Sequence, residues 1–341
     1  LGGDHVGAAQ RTDQPRRGVR RLSERRGADE QSTGSHVRQP TIAVVTAAPA
    51  AERVASPHAA PVISPGPVTP VADFGPLDRM QGWAMTAVIT ALAAITRFLN
   101  LGSPTDAGTP IFDEKHYAPQ AWQMLGNHGV EDNPGYGLVV HPPVGKQLIA
   151  LGEAIFGYNG LGWRFSGAVC GVVLVLLVVR IMRRISRSTL IGGVAGLLLI
   201  ADGVSFVTAR TALLDGFLTV FVVAAFGCLI VDRDQIRARM HKALLEGRIG
   251  ETVWGPRLGV RWWRFGAGVL LGLACATKWS GLYFVMFFGV MTVAFDVAAR
   301  KQYRVPRPWL GTFRRDVGPA LYALVLIPFG VYLASYAPWF A

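Results

Sequence analysis

Two adjacent carboxylates, Asp113 and Glu114, open the stretch "FDEKHYAPQAWQML" just after a long apolar segment. On a helix, neighbouring residues point about 100° apart, so the two acids cannot share a face and should do different jobs. The bland role is a helix start, because the first turn favours negative charge. The sharp role is acceptance of a proton from a substrate. Other charged residues stand at the ends of apolar runs. Arg97 lies near the end of the first run, Arg164 opens the second, Arg210 sits in the turn "TARTALLD", and Lys278 sits in "TKWSG". Charges in such positions are costly and tend to mark function, although snorkelling accounts for any one of them. Together they suit an anionic headgroup: Arg would bind phosphate oxygens bidentately and Lys would act as a point charge. His141 and Lys146 belong to "HPPVGK", which looks like a phosphate loop but has Gln147 where Ser or Thr is needed and Val140 at the first glycine position. His141 reads as a structural loop residue, a ligand or a proton shuttle. No HExxH or Cys/His array is present, so the expectation is no metal and no cofactor.

The elements that position these residues are membrane helices. Of 341 residues, 51% are hydrophobic and only 16% charged, against about 25% charged in soluble domains. Several apolar runs reach roughly 17–22 residues, enough to cross a hydrocarbon core. The expected fold is an all-α polytopic transmembrane bundle with about seven spans, near 83–101, 162–181, 190–207, 213–231, 265–276, 279–298 and 317–334. Residues 1–79, rich in Arg, Pro and Ala, read as a disordered tail. Residues 80–341 read as one membrane domain, with 102–162 as its first large outer loop. The GxxxG spacings at Gly192/Gly196 and Gly268/Gly272 read as close helix packing. The three cysteines all fall in apolar runs and read as small buried side chains.

A formal charge of +12 would suggest nucleic acid for a soluble protein. Here the excess falls in three loops, around 183–187, 233–264 and 300–315. Basic loops stay cytoplasmic, so the excess sets orientation, and no nucleic-acid partner is expected. The tail is then cytoplasmic, and the 102–162 loop, "TARTALLD" and "TKWSG" gather on the outer face of a plasma-membrane protein. Nucleotide sugars are cytosolic, so an outer enzyme needs another activated donor, and a polyprenyl-phosphate sugar fits. The chain begins with Leu, has no Met before Met80, and ends directly after an apolar run. A fragment, or a misplaced start, is expected.

Six motifs occur in order: "ITRFLNL", "FDEKHY", "HPPVGKQLIA", "GWRFSGAV", "ARTALLDGFLTVF" and "ATKWSGLYF". Over roughly 83–341 this pattern resembles the protein O-mannosyltransferases, inverting GT-C enzymes, and most of all their actinobacterial members. The resemblance implies a helical GT-C bundle that continues beyond this length. It implies transfer of mannose from polyprenyl phosphate mannose to Ser or Thr hydroxyls of exported proteins, with membrane lipids and the secretion machinery as partners. It makes Asp113 the catalytic base and Glu114 a residue that binds acceptor or shapes the site. It makes Arg164 functionally important, matches Arg97 to the arginine of "ITRF", and aims Lys278 at the donor phosphate. His141 and Lys146 match a loop for which no role carries over. The alternatives are another GT-C transferase acting on a lipid or glycan, a transporter or flippase, and a non-catalytic lipid-binding subunit.

Overall fold

The computed structural model describes residues 74–103, 110–132 and 140–340, all of them helices, turns and loops. The expected tail therefore lies almost wholly outside the described residues, as does all of "NPGYGLV". Ten helices organise the rest. α1 (Pro76–Phe98) leads to α2 (Glu114–Gly126) and α3 (Val144–Phe156), which fill the loop region. The remainder are α4 (Gly160–Ser186), α5 (Thr189–Ala201), α6 (Gly203–Ala209), α7 (Leu214–Leu245), α8 (Trp262–Cys275), α9 (Gly281–Gln302) and α10 (Pro308–Ser335).

All seven expected segments are helical, but by length and apolar character alone fewer than seven of the described helices qualify as spans. Four helices, α4, α7, α9 and α10, are long and apolar enough to cross a membrane, and a fifth if the bent pair α5–α6 counts as one. α1 has the length, with 23 residues or about 34 Å, but Asp78, Arg79, Gln81 and Arg97 dilute its apolar character. α8 has 14 residues, about 21 Å, short of a 30 Å hydrocarbon core.

Local chemistry explains the breaks. Asn159 caps α4 by accepting from the Leu161 and Gly162 amides at 3.0 Å, and Ser188 caps α5 through the Ile191 amide. α5 and α6 meet at 68°. Asp202 stands at that bend and caps α6 through the Ser205 amide at 2.7 Å. α10 contains two wide π turns, Phe313–Val317 and Tyr322–Leu326. Each holds the carbonyl four residues before a proline, Pro319 or Pro328, where the ring would clash with a regular turn.

Both GxxxG pairs pack as expected. A Cβ on Gly268 would fall 1.8 Å from the Ala323 carbonyl oxygen, and one on Gly272 2.6 Å from Val331 Cβ, which locks α8 against α10. Gly192 and Gly196 press α5 onto Val179 and Arg183 of α4 in the same way. The apolar core runs through Leu218, Leu271, Phe288 and Leu324 of α7–α10, and continues through Ile149, Trp163 and Phe217 beneath α2 and α3. At the far end of the bundle, Arg261 and Arg264 pair with Asp232 and Asp296, and Arg300 pairs with Asp316. Part of the basic-loop charge is thus neutralised inside the protein.

Gly268→Ala should destabilise the protein by about 2 kcal/mol or more, because the α8–α10 backbones must separate. Gly289→Ala, where an added methyl meets nothing within 4 Å, should be neutral or mildly stabilising. Thermal unfolding in detergent reads the contrast, and equal shifts would contradict the packing assignment.

Candidate active site

The loop motifs converge because one carboxylate ties them together. Glu114 is fully buried. Its Oε1 accepts from Arg164 Nε at 2.7 Å and from the Ala212 amide at 2.9 Å. Its Oε2 accepts from Arg164 Nη2 at 2.8 Å and from the Ile111 amide at 3.0 Å. Arg164 is equally buried and donates Nη1 to the carbonyls of Leu101, Gly102 and Ser103 at 3.0–3.2 Å. One ion pair therefore joins α2, α4, the end of the α1 connection and the turn before α7. Its bidentate geometry and four donors satisfy the hydrogen-bonding needs of a carboxylate buried away from water.

Asp113 stands one residue earlier and behaves differently. It is the N-terminal flanking residue of α2, half-buried, and makes no side-chain cap. Among the described residues nothing donates to its carboxylate. Around it lie Tyr117 and His141, whose rings are 6.0 Å apart, then Asp215 and Lys278. Burial, with help from Asp113 and Asp215, pushes the Tyr117 hydroxyl up to about 12. Burial, then Lys278 and Lys146, holds His141 below its ordinary 6.5, so it is neutral at pH 7 and is no cationic anchor. Lys278 Nζ donates to Asp215 Oδ1 at 2.8 Å, and both side chains reach solvent, at 30% and 55% exposure. Such an exposed pair is weak and can exchange partners. The backbone closes the arrangement: the Val144 amide donates to the Ala276 carbonyl at 3.0 Å, and Gly145 lies against Leu214 and Thr277. "FDEKHY", "HPPVGK", "ALLDG" and "ATKWS" are thus brought together. An apolar groove of about 350 Å³ opens beside them, lined by Cys275, Trp279, Leu282, Pro328 and Tyr332.

Four of the expected phosphate-binding cations are occupied otherwise. Arg164 is committed to Glu114. Arg97, fully buried, donates to the Leu199 and Ile200 carbonyls left open where α5 breaks, at 3.2 and 3.3 Å. Arg210 donates to the carbonyls of Thr96, Arg97, Leu99 and Asn100, closing the C-terminus of α1. Lys146 is buried against Glu131, and burial lowers its pKa. Lys278 is the candidate cation left near Asp113 in an exposed, exchangeable pair. Asp215 and Tyr117 were not among the site residues expected from sequence. The sequence signal was there, an acid one residue past "ALL" in a motif on the same face, but nothing in it revealed the pairing with Lys278.

Fold and site together define a polytopic helical membrane protein with a carboxylate and a lysine–aspartate pair poised at one end of the bundle. The chain belongs to the family described as dolichyl-phosphate-mannose-protein mannosyltransferase, which residues 159–341 match. The polyprenol-phosphate-mannose–protein mannosyltransferase of Mycobacterium tuberculosis is 82% identical over 281 residues, 82% of this chain and 54% of the relative. The protein of the same description from Corynebacterium glutamicum is 50% identical over 262 residues, 75% of this chain and 50% of the relative. The chain spans about half the length of the curated relatives it matches. The Saccharomyces cerevisiae protein O-mannosyltransferase Pmt1–Pmt2 complex bound to its sugar donor shares the fold, with a TM-score of 0.58 at 20% identity, over 75% of this chain and 33% of that one.

Glu114→Ala should cost about 3–5 kcal/mol of stability, since it strands the buried Arg164 charge. Asp113→Ala should change stability by less than about 1 kcal/mol. Equal losses in thermal unfolding would contradict this division of roles. Glu153 on α3 gives a pH test. It is fully buried, neither of its oxygens has a partner among the described residues, and burial raises its pKa to about 8. The folded state therefore prefers the neutral acid. The penalty from ionising Glu153 is absent below the unfolded pKa of about 4.3, grows as pH rises, and levels off above pH 8. Glu153→Gln should be stabilising by about 4–5 kcal/mol at pH 8 and neutral near pH 4, by melting curves across that range.

Proposed function

We propose that the chain is the N-terminal part of an inverting transferase that moves mannose from polyprenyl phosphate mannose to Ser or Thr hydroxyls of exported polypeptides. The observation that carries this reading is the split within the carboxylate pair. Glu114 is saturated by four donors, while Asp113 keeps its oxygens open beside the Lys278–Asp215 pair. The names of the mycobacterial and corynebacterial relatives support the donor and acceptor classes.

In this reading the acceptor hydroxyl lies against Asp113, which takes its proton. The hydroxyl oxygen forms a bond to the anomeric carbon on the face opposite the phosphate. The old carbon–oxygen bond breaks, and its electron pair leaves with the polyprenyl phosphate. A β-linked mannose thus becomes α-linked. A carboxylate is a weak base toward an alcohol, so proton transfer comes late, once the sugar has oxocarbenium character. Lys278 turns from Asp215 to the departing phosphate and neutralises its charge, the kind of preorganised stabilisation that lowers such barriers most. The polyprenyl tail lies in the apolar groove at Trp279. The reaction needs no metal, because the phosphate is already a good leaving group and the cation is a side chain.

The charge of the three basic loops supports a plasma-membrane orientation with those loops and the N-terminus in the cytoplasm and Asp113 outside. Acceptors would then arrive unfolded from the secretion machinery. In the full-length protein, Asp113→Asn should lower kcat by about 10²–10⁴ with the fold intact. The measurement is transfer of labelled mannose from polyprenyl phosphate mannose to a Thr-rich peptide. Near-normal turnover would remove Asp113 as base, and label found only in lipid would instead favour a lipid-directed transferase.

A further inference from the structure

A second cationic cleft lies at the other end of the bundle. Arg164 and Arg180 are both on α4, sixteen residues and about 24 Å apart along its axis. The Glu114–Arg164 anchor marks the end of the bundle where Asp113 sits. Arg180 therefore sits at the opposite membrane boundary, given a hydrocarbon core about 30 Å thick. There α1, α4, α7 and α8 enclose a cleft of about 420 Å³. Arg79 and Arg180 line it, with Trp83 and Trp263 as aromatic walls and Leu177 and Val231 as apolar ones.

The charges in this cleft are unbalanced. Two more arginines line it, but they are already engaged. Arg183 donates to Asp78 at 2.9 Å, and Arg184 donates to Asp234 at 2.8 Å. Asp234 also accepts from Arg233 at 2.9 Å, so one carboxylate serves two guanidiniums. Arg180 has no carboxylate partner among the described residues. Its guanidinium stacks on the Trp83 ring at 3.8 Å, and its buried Nη1 has no acceptor among the described residues. A buried donor without a partner is expensive, and a guanidinium held flat on an indole presents its edge to a ligand.

We propose that this cleft binds the phosphate headgroup of an anionic phospholipid from the bilayer leaflet opposite the one that Asp113 faces. The phosphate oxygens would accept from Arg180 Nη1 and from Arg79 at the mouth, and the first acyl carbons would lie on Leu177 and Val231. A membrane interface supplies such a ligand at high local concentration, and the mixed aromatic, apolar and basic lining matches a headgroup–acyl boundary. The site would fix the α1–α4 packing at that boundary. It does not depend on which face is cytoplasmic or on Asp113 acting as a base.

The test uses the full-length protein in detergent, titrated with phosphatidylglycerol, phosphatidylcholine, polyprenyl phosphate or inorganic phosphate. Bound lipid is counted by native mass spectrometry, and stability is followed by thermal unfolding. Wild type should retain phosphatidylglycerol over phosphatidylcholine and melt at a higher temperature with it. Arg180→Gln should weaken that retention about tenfold, Arg180→Lys should restore part of it, and Asp113→Asn should leave it unchanged. Should Arg180→Gln not fold, Arg79→Gln reads the same site from an exposed position. Undiminished phosphatidylglycerol retention in Arg180→Gln or Arg79→Gln would overturn the proposal. So would a site that takes polyprenyl phosphate in preference to phosphatidylglycerol, or one that inorganic phosphate fills equally well.

Discussion

A carboxylate taken out of water must be neutralised and fully hydrogen-bonded, and Glu114 meets that demand with one guanidinium and two amides. The rest of the end of the bundle that carries Asp113 follows from this constraint. The Ala212 amide is fixed by Glu114, so the turn leading into Asp215 and α7 is fixed with it. Arg164 holds three carbonyls after α1, so the entry to the outer loop is fixed as well. Removing one partner leaves a bare charge in an apolar core. The pair is therefore a registration device more than a source of net stability.

Burial sorts the charges into two kinds. Arg97, Arg164 and Lys146 are fully enclosed and spend their donors inside the protein, on helix-end carbonyls or on a buried carboxylate. Arg210 is partly exposed but donates to four carbonyls at the end of α1. Asp113, Asp215 and Lys278 remain within reach of solvent, where a polar substrate can displace water or a weakly held partner. The enclosed set sets geometry and the accessible set is available for chemistry. The same distinction holds at the far end, where Arg261, Arg264 and Arg300 are matched to aspartates but Arg180 is not.

Much of this was legible in the sequence. Adjacent acids on a helix must diverge, and Asp113 and Glu114 do. Glycines spaced by four mark close backbones, and Gly268 and Gly272 meet α10 at contact distance. What the sequence did not show was partnership. Arg97 and Arg210 look like headgroup ligands until the α5 break and the end of α1 expose carbonyls that need donors. Arg164 and Lys146 look available until Glu114 and Glu131 fold onto them. Seven apolar runs yield only four or five helices that qualify by length and apolar character, for a related reason. Apolar runs reveal composition, but the length of α8 and the bend at Asp202 depend on caps and packing set by distant residues.

In the proposed reaction the Glu114–Arg164 pair stays closed while Lys278 receives the phosphate. A structure of the full-length protein with a non-transferable analogue of polyprenyl phosphate mannose tests it most directly. The account predicts an intact bidentate pair, a phosphate oxygen within hydrogen-bond distance of Lys278 Nζ, and the anomeric carbon facing Asp113. An Arg164 guanidinium released from Glu114 and bound to the phosphate would contradict it.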